Sequence, residues 1–528
     1  MPHSLAAYPR HPGPEVGPEV CPGVTVSWSK NSPGSQRIYM SSLLQRSEKQ
    51  RVDALNSIGI ENLGVSEQFF TPAPVAELMA RMLVPENPQL GSIKLLDPGA
   101  GTGILTAAVT ARLGKVAPGV PVHVTAVEKE SAQLPQLRVT LEDCARTHGN
   151  FTFEIKKEDF IDLGISAHGI FAEPQTNRFD LCIQNPPYSK LPASDRRSQE
   201  LKKLGIHVPN IYAAFMALAH KLLKPGGAMI SITPRSWYNG PYFAAFRNFL
   251  TSTGQITDIH TFESRRKVFA DTKILQETII TRTVADPTPV SEIAISTSHA
   301  ANDPTSVRKV AFSSVFSGNV IFVPTSNRDE QVLQWLSRAT STISDLPFTV
   351  STGKVIDFRS REQTFSQPSP RSVPLIYPAN FSRETIHHPQ VNLKKPQWFE
   401  PTQAGEDKKL IPPGNYVLVK RFSSKEEFRR ITAAVWQADT FTALDNKVNF
   451  FHSGGHGMNL DTAKGLCIWL NSDRIDHFFR LFSGHTQVNA TDLRMLPYPS
   501  VAQLQAMARS NMEAEDAIEQ VFKSLGES

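Results

Sequence analysis

Between about residues 67 and 285, short apolar stretches alternate with longer stretches of helical spacing. "IKLLDPG", "VHVTAVE", "FTFEIKKEDF", "FDLCIQN" and "AMISITP" have the length and composition of buried strands with their turns. "ILTAAVTARLGKV", "QLPQLRVTLEDCARTHG" and "NIYAAFMALAHKLLKPGG" between them have helical periodicity, the last closed by Pro-Gly-Gly. Parallel strands must be joined by a crossover, usually a helix, so this rhythm predicts a doubly wound α/β sheet.

The chain has 528 residues, of which 40% are hydrophobic, enough for two domains with cores of their own. Residues 1–40 are rich in Pro, Gly and Ser and are expected to be a disordered tail. The α/β domain is predicted over 41–289, beginning with a helical stretch at 41–60. A linker is expected in "VADPTPVSEIAISTSHAANDPTS", then a mixed α+β domain over 290–500 and a terminal helix over 501–528. No apolar run reaches membrane-spanning length, and no charged-then-apolar leader pattern opens the sequence, so export is not expected. The four cysteines are scattered, which predicts neither a disulfide framework nor a zinc site and suits a reducing cytoplasm. His452 and His456 lie in a glycine-rich loop, "FHSGGHGMN", with no cluster of further ligands in sequence, so no metal is expected. A net charge of +5 permits an anionic partner without demanding one.

The first strand runs into "LLDPGAGTGIL", with Asp97 at its end and Gly99, Gly101 and Gly103 before the next helix. Glycines allow a tight turn and close approach by a ligand. The second strand ends at Glu128, where a carboxylate is placed to accept hydrogen bonds from ribose hydroxyls. Together these imply an adenosine-containing cofactor. An aspartate at the start of the turn disfavours pyrophosphate and suits a ligand carrying a cationic amino or sulfonium group. "EDFID" follows the third strand with Asp159 and Phe160, and "FDLCIQNPPYSK" ends the fourth with Asn185, Pro186, Pro187 and Tyr188.

The last stretch has two readings. Asn and Pro make turns, and that alone explains the prolines. Ligands of open α/β sheets bind at the carboxyl ends of the strands, however, and Asn185 falls there. An amino group conjugated to a ring is a poor nucleophile. Two acceptors aimed at its hydrogens favour pyramidalisation and free the lone pair. The Asn185 side-chain oxygen and the Pro186 carbonyl are such acceptors, the prolines stiffen the loop, and the Tyr188 ring offers a stacking face for a flat base.

The glycine turn resembles the first motif of S-adenosyl-L-methionine-dependent methyltransferases. In that family the acid matching Asp159 bonds the adenine amino group of the cofactor, and the residue matching Phe160 packs on its ring. N-P-P-Y resembles the motif of amino-group methyltransferases, which act on DNA adenine, on release-factor glutamine or on ribosomal RNA guanine. "SEQFFTPAPVAELMARML" resembles the F-x-T-P segment of DNA adenine methylases, which implies that Phe70 and Thr71 border the methionine end of the cofactor; Thr71 is expected to cap the helix it opens, with Pro72 in the first turn. The order F-x-T-P, glycine turn, N-P-P-Y, then a large domain resembles the gamma class of N6-adenine DNA methyltransferases. "ESRRKVFADTKILQETII" matches their late catalytic region, where Phe269 would face Tyr188 across a flipped base.

"TGKVIDFRSRE", "VLVKRFSSKEEFRRITAAV" and "SGHTQVNATDLRMLPYP" resemble C-terminal halves of Eco-type and XhoI-like modification methylases of type II restriction–modification systems, so the resemblance spans most of the chain beyond 65. It implies a Rossmann-like methyltransferase domain followed by a target-recognition domain, double-stranded DNA as partner, a companion endonuclease, and a bacterial, cytoplasmic setting on DNA as a monomer. Both domains assigned, no stretch of these 528 residues is left for a fused nuclease. Lys420, Arg421, Lys425, Arg429 and Arg430 crowd one segment and fit phosphate contacts, or equally a solvated helix face among Glu426 and Glu427. Gln487, Asn489 and Thr491 fit DNA contacts, or equally a capped loop. Two alternatives stay open: an amino-group methyltransferase acting on RNA or protein, and a non-catalytic DNA-specificity protein.

Overall fold

Apolar runs of about six residues bounded by turn residues become strands β1 (Ile93–Pro98), β2 (Val122–Val127), β3 (Phe151–Lys156) and β4 (Phe179–Gln184). They continue as β5 (Leu223–Pro234), β6 (Gln255–Phe262), β7 (Thr278–Val284), β8 (Glu292–Ser298) and β9 (Ser306–Ala311). The chain is seen here as a computed structural model that describes residues 41–58, 70–86, 88, 91–168, 179–263, 277–317, 320–401, 405–423, 427–483 and 487–523. The expected tail at 1–40, Phe269 and Lys425 lie outside them. Residues Met40–Ser528 form one compact unit.

The nine strands make one sheet in the order β3-β2-β1-β4-β5-β7-β6-β8-β9. The β1–β2, β1–β4, β2–β3 and β4–β5 pairs are parallel, and β7 runs antiparallel to both neighbours. Helices cover both faces, which is why β1, β2 and β4 are apolar almost throughout rather than alternating. One face carries α1 (Ser42–Ile58), α2 (Ala73–Leu83), α3 (Ile104–Val116) and α4 (Leu134–His148), whose Leu44, Met79, Val109 and Leu141 pack with Leu95, Val124 and Ile183 of the sheet. The other carries α5 (Phe160–Ser166), α6 (Arg196–Lys203), α7 (Ile211–Lys221) and α8 (Ala244–Thr253), whose Ile161, Leu201, Met216 and Leu250 pack with Leu96, Cys182 and Met229. This is the predicted doubly wound α/β fold. Gly149, at a φ of 76°, ends α4.

Four local expectations are corrected. The stretch read as a linker supplies β8, which pairs in parallel with β6 and buries Ile293 and Ile295 in the sheet's own core. That core runs on to Val323, and the next begins at Phe322, so the change of core lies beyond residue 289. Pro225-Gly226-Gly227 does not separate helix from strand; it lies inside β5, where Gly226 and Gly227 exchange main-chain hydrogen bonds with Ala285. The terminal stretch is two helices, Val501–Arg509 and Ala514–Lys523. Leu504 and Met507 of the first and Ile518 and Phe522 of the second all belong to the core around Trp469. Finally, Pro72 rather than Thr71 is the cap of α2, and the first helical N–H, of Ala73, donates to Glu48 of α1 at 3.0 Å.

Beyond residue 322 the architecture is mixed α+β, as expected. An antiparallel sheet joins Thr349–Thr352, Val448–His452, Gly414–Lys420 and Ala433–Ala438, and helices Leu460–Leu470 and Asp473–Phe482 pack beside it. Both ring nitrogens of His452 are engaged within the loop region, with Ser351 Oγ at 2.8 Å and the Gly455 N–H at 2.9 Å. Among the described residues no helix is long and apolar enough to cross a membrane.

The described basic residues of the segment, Lys420, Arg421, Arg429 and Arg430, do not lie on a helix. Arg430 is fully buried: its Nε donates to Ser423 Oγ at 3.1 Å, its Nη1 to the Ser483 carbonyl at 3.4 Å, and the guanidinium lies over the Phe479 ring. It therefore does not face phosphates, because its donors and its planar surface are used inside the core. Arg430→Ala is expected to lower stability by about 1–3 kcal/mol through unpaired polar groups and lost packing. Urea unfolding checks this; an unchanged midpoint would contradict the structural role.

Candidate functional site

The chain builds β1, β2 and β3 toward one edge of the sheet, then returns to place β4 on the other side of β1. The crossovers on the two sides of that reversal leave opposite faces, so a crevice opens at the carboxyl ends of β1 and β4. A cleft at these strand ends is lined by Phe70, Gly99, Gly101, Val127, Glu128, Lys129, Gln133, Glu158, Asp159, Phe160, Asn185, Pro187, Ile211 and Phe215. Eight residues singled out from the sequence are among them.

Gly99, Gly101 and Gly103 have φ of 70°, 57° and 84°, a region that side chains disfavour, so the turn requires glycine. The turn folds over the end of β2, with Gly99 N–H and Ala100 N–H donating to the Val127 carbonyl at 2.8 and 3.0 Å. Glu128 locks it: its Oε2 accepts the Gly101 N–H at 2.8 Å and its Oε1 accepts the Glu130 N–H at 2.7 Å. Burial pushes this carboxyl above the ordinary range, and the backbone hydrogen bonds oppose the shift. Asp97 is buried beneath the turn and does not line the cleft. Its Oδ2 accepts the Thr106 hydroxyl of α3 at 2.6 Å, while among the described residues its Oδ1 has no hydrogen-bond partner. Burial raises its pKa to about 7, with the nearby Glu128 charge adding to the shift.

Asp159 caps α5 by accepting the Ile161 N–H on Oδ1 at 2.9 Å. Its Oδ2 meets Arg197 Nη1 of α6 at 3.2 Å and Lys129 Nζ at 3.8 Å. Phe160 packs against Phe215 of α7 with centroids 5.0 Å apart, an aromatic wall suited to a flat ring.

At the end of β4, Asn185 Nδ2 donates to Thr71 Oγ1 at 3.0 Å, a contact across 114 residues of sequence. Thr71 is buried, with its hydroxyl turned to Asn185. The loop that follows is held by more than its prolines: Leu191 N–H donates to the Pro209 carbonyl and Ile211 N–H to the Ser189 carbonyl, both at 2.9 Å. The Tyr188 ring is buried and meets Tyr212 edge-on at 6.3 Å, and Tyr212 stacks on Phe243 at 5.7 Å.

Six lining residues were not singled out from the sequence: Val127, Lys129, Gln133, Glu158, Ile211 and Phe215. Ile211 and Phe215 belong to a helix whose apolar stripe reads as core. Gln133 gave no signal in sequence, yet a Cβ on Gly101 would lie 3.2 Å from its Oε1. Among the described residues, the C-terminal basic side chains do not line this cleft. Lys420 lies over the Phe381 ring; Arg421 reaches the Asn446 carbonyl at 3.1 Å and Gln487 Oε1 at 3.4 Å; Arg429 pairs with Glu384 at 2.9 Å and Asp473 at 3.2 Å. Among the described residues no group of acids, histidines and cysteines is arranged to hold a metal ion.

The donor set fits an adenosine with a cationic tail. Three carboxylates, Glu128, Glu158 and Asp159, line the cleft, aromatic rings flank it, the glycine turn leaves room for close approach, and beneath that turn the buried Asp97 has one oxygen without a hydrogen-bond partner among the described residues, which favours a nearby cation. The chain matches the family described as "Eco57I restriction-modification methylase" over residues 124–269. It is 36% identical over 455 residues to the type II methyltransferase M.PstI of Providencia stuartii, across 84% of this chain and 88% of the relative. It is 35% identical over 482 residues to the type II methyltransferase M.BsuBI of Bacillus subtilis, across 87% and 92%. These relatives carry PstI and BsuBI names where the C-terminal stretches suggested an XhoI-like grouping. Among solved structures, the type IIL restriction-modification enzyme MmeI in complex with DNA shares the fold, with a TM-score of 0.50 at 11% identity over 92% of this chain and 76% of that one.

A Cβ on Gly103 would sit 3.0 Å from Leu137 Cδ1 and 3.1 Å from Thr140 Cγ2, whereas one on Gly149 would meet open space; both have positive φ. Each alanine substitution is expected to cost about 1–2 kcal/mol in backbone strain. Gly103→Ala is expected to cost more than Gly149→Ala because α4 must also shift. Thermal melts of the two variants check the order.

Proposed function

Because the chain belongs to the type II methyltransferases of restriction–modification systems, we propose that it methylates the N6 amino group of an adenine in duplex DNA. The fold is the Rossmann-like fold of S-adenosylmethionine-dependent methyltransferases, followed by a mixed α+β region, and S-adenosylmethionine is the cofactor. The observation that carries the finer reading is that Asn185 and Pro187 line the same cleft as Glu128, Asp159 and Phe160. The amino-group motif and the cofactor acids therefore share one crevice.

In this reading Glu128 accepts from the ribose hydroxyls with lone pairs beyond those used on Gly101 and Glu130. Asp159 and Phe160 hold the adenine ring, and Phe70, with the glycine turn, borders the methionine end. S-adenosylmethionine supplies an electrophilic methyl group on a sulfonium. The chain's own part is to bring the target amino group there and raise its nucleophilicity. The Asn185 oxygen and the Pro186 carbonyl accept its two hydrogens, and these bonds strengthen as the nitrogen becomes tetrahedral. A base inside a duplex is out of reach, so the target adenine must leave the stack and is received beside Tyr188. The Tyr188 ring is buried against Tyr212, which sets its orientation before a base arrives. In this reading the order of segments supports the gamma class, and the region beyond about residue 322, where the second core begins, serves target recognition, with the half-buried Lys420, Arg421 and Arg429 among its cations. The biological role is protection of DNA from a companion endonuclease.

Nucleoside analysis of DNA from cells expressing the chain, with long-read sequencing for the site, tests this: N6-methyladenine is expected, and N4-methylcytosine in its place would overturn the base assignment. Asn185→Ala is expected to leave cofactor affinity nearly unchanged and to slow single-turnover methylation roughly a hundredfold, since a lost transition-state acceptor costs about 3 kcal/mol. A wild-type rate would return the N-P-P-Y stretch to being a turn.

The buried Asp97, with a pKa raised to about 7, gives a pH signature. The folded protein holds the proton more tightly than the unfolded chain, so this group's contribution to stability falls as pH rises through the window up to 7. A cationic ligand favours the carboxylate, so S-adenosylmethionine affinity is expected to rise as pH increases through 7 and then level. Asp97→Asn is expected to flatten that profile, as read by titration calorimetry; an equally steep profile in the variant would remove Asp97 from cofactor binding.

A further inference from the structure

The Asn185 amide has one end that accepts and one that donates, and its terminal torsion has no strong intrinsic preference. An acceptor aimed at an amino group becomes a competing donor if the amide turns over. Some group must therefore hold the amide one way round, and the local sequence around N-P-P-Y does not contain it.

We propose that Thr71 is that positioning residue, and that α1 holds Thr71 in place. Asn185 Nδ2 donates to Thr71 Oγ1 at 3.0 Å, which turns the carbonyl oxygen of the same side chain away from Thr71. Thr71 is 3% exposed and directly precedes Pro72, the cap of α2. The start of α2 is fixed from a different element. Glu48 of α1 accepts the Ala73 N–H at 3.0 Å, placing a carboxylate on the amide end of α2. Arg51, one turn along α1 and 2% exposed, grips that carboxylate with two donors, Nη2 at 2.6 Å and Nε at 2.9 Å. The fork geometry leaves the Glu48 carboxylate little rotational freedom. A chain of contacts thus runs Arg51–Glu48–α2 start–Thr71–Asn185, linking the helix before the sheet to the end of β4. Thr71 is not among the residues that line the cleft, and its hydroxyl is engaged by the Asn185 amide. This assignment rests on Asn185 being the acceptor described above.

The test is a double-mutant cycle. Single-turnover methylation, at saturating S-adenosylmethionine and saturating DNA, is measured for Thr71→Val, Thr71→Ser, Asn185→Ala and the Thr71→Val/Asn185→Ala pair, with cofactor affinity by calorimetry. Thr71→Val is expected to slow the step roughly tenfold through a misoriented acceptor, with cofactor affinity changed less than about threefold. Thr71→Ser, which keeps the hydroxyl, is expected to restore most of the rate. In the Asn185→Ala background Thr71→Val is expected to add nothing, because there is no amide left to orient. Glu48→Gln, which keeps the shape but weakens the grip of Arg51, is expected to give a smaller loss that also vanishes in that background; it keeps the test informative if Thr71→Val folds poorly. The proposal is overturned if the Thr71 and Asn185 losses multiply, if Thr71→Val runs at the wild-type rate, or if its loss tracks weakened cofactor binding. Failure of the underlying reading is distinguishable, since Asn185→Ala alone would then be fast.

Discussion

The reversal of strand order between β1 and β4 is the constraint on which the rest depends. Crossovers of one hand must go to opposite faces when strands are added to opposite sides, and the gap between them cannot be filled by either set of helices. The glycine turn lies on one side of that gap and Asn185 on the other. The Glu128 carboxylate then closes the turn onto β2 through Gly101, so the acid that marks the second strand is also structural. A residue of this kind is not separable into framework and function, because the hydrogen bonds that shape the turn also orient the carboxylate.

Much of this was legible because it is local. A strand end, a glycine turn and an acid on the next strand are each contained in a few residues, and Gly99, Gly101 and Gly103 stand at positive φ as their spacing implied. N-P-P-Y announces itself by composition, and its place at the end of β4 follows from the strand before it. What was not legible depends on distant partners. The Thr71–Asn185 bond spans 114 residues, and the Glu48 carboxylate that replaces a side-chain cap on α2 lies on another helix. Neither leaves a trace in the periodicity of its own segment. Phe215 reads as core because it is core on one side and cleft wall on the other.

Two of the misreadings share one cause. Pro225-Gly226-Gly227 and the "VADPTP…" stretch have turn composition, yet main-chain pairing with neighbouring strands carries them into or beside the sheet. Turn propensity is a fraction of a kcal/mol to about one per residue, and a completed ladder outweighs it. Arg430 shows the same override for charge: proximity to Lys420 and Arg429 in sequence says nothing about which side chain turns inward, and the aromatic face of Phe479 with two acceptors decides it.

Asp159 has two duties besides lining the cleft: it caps α5 and it meets Arg197 of α6. Arg197 in turn clasps Asp195, the residue that starts α6 directly after the loop carrying Asn185. The cleft acid Asp159 and the end of the loop carrying Asn185 are thereby joined through one guanidinium. Thermodynamic reciprocity then applies to the pair of ligands. Whatever change one ligand makes in the other's binding free energy through that guanidinium, it undergoes in return with the same sign and size, so order of arrival at this crevice changes the route and not the final equilibrium.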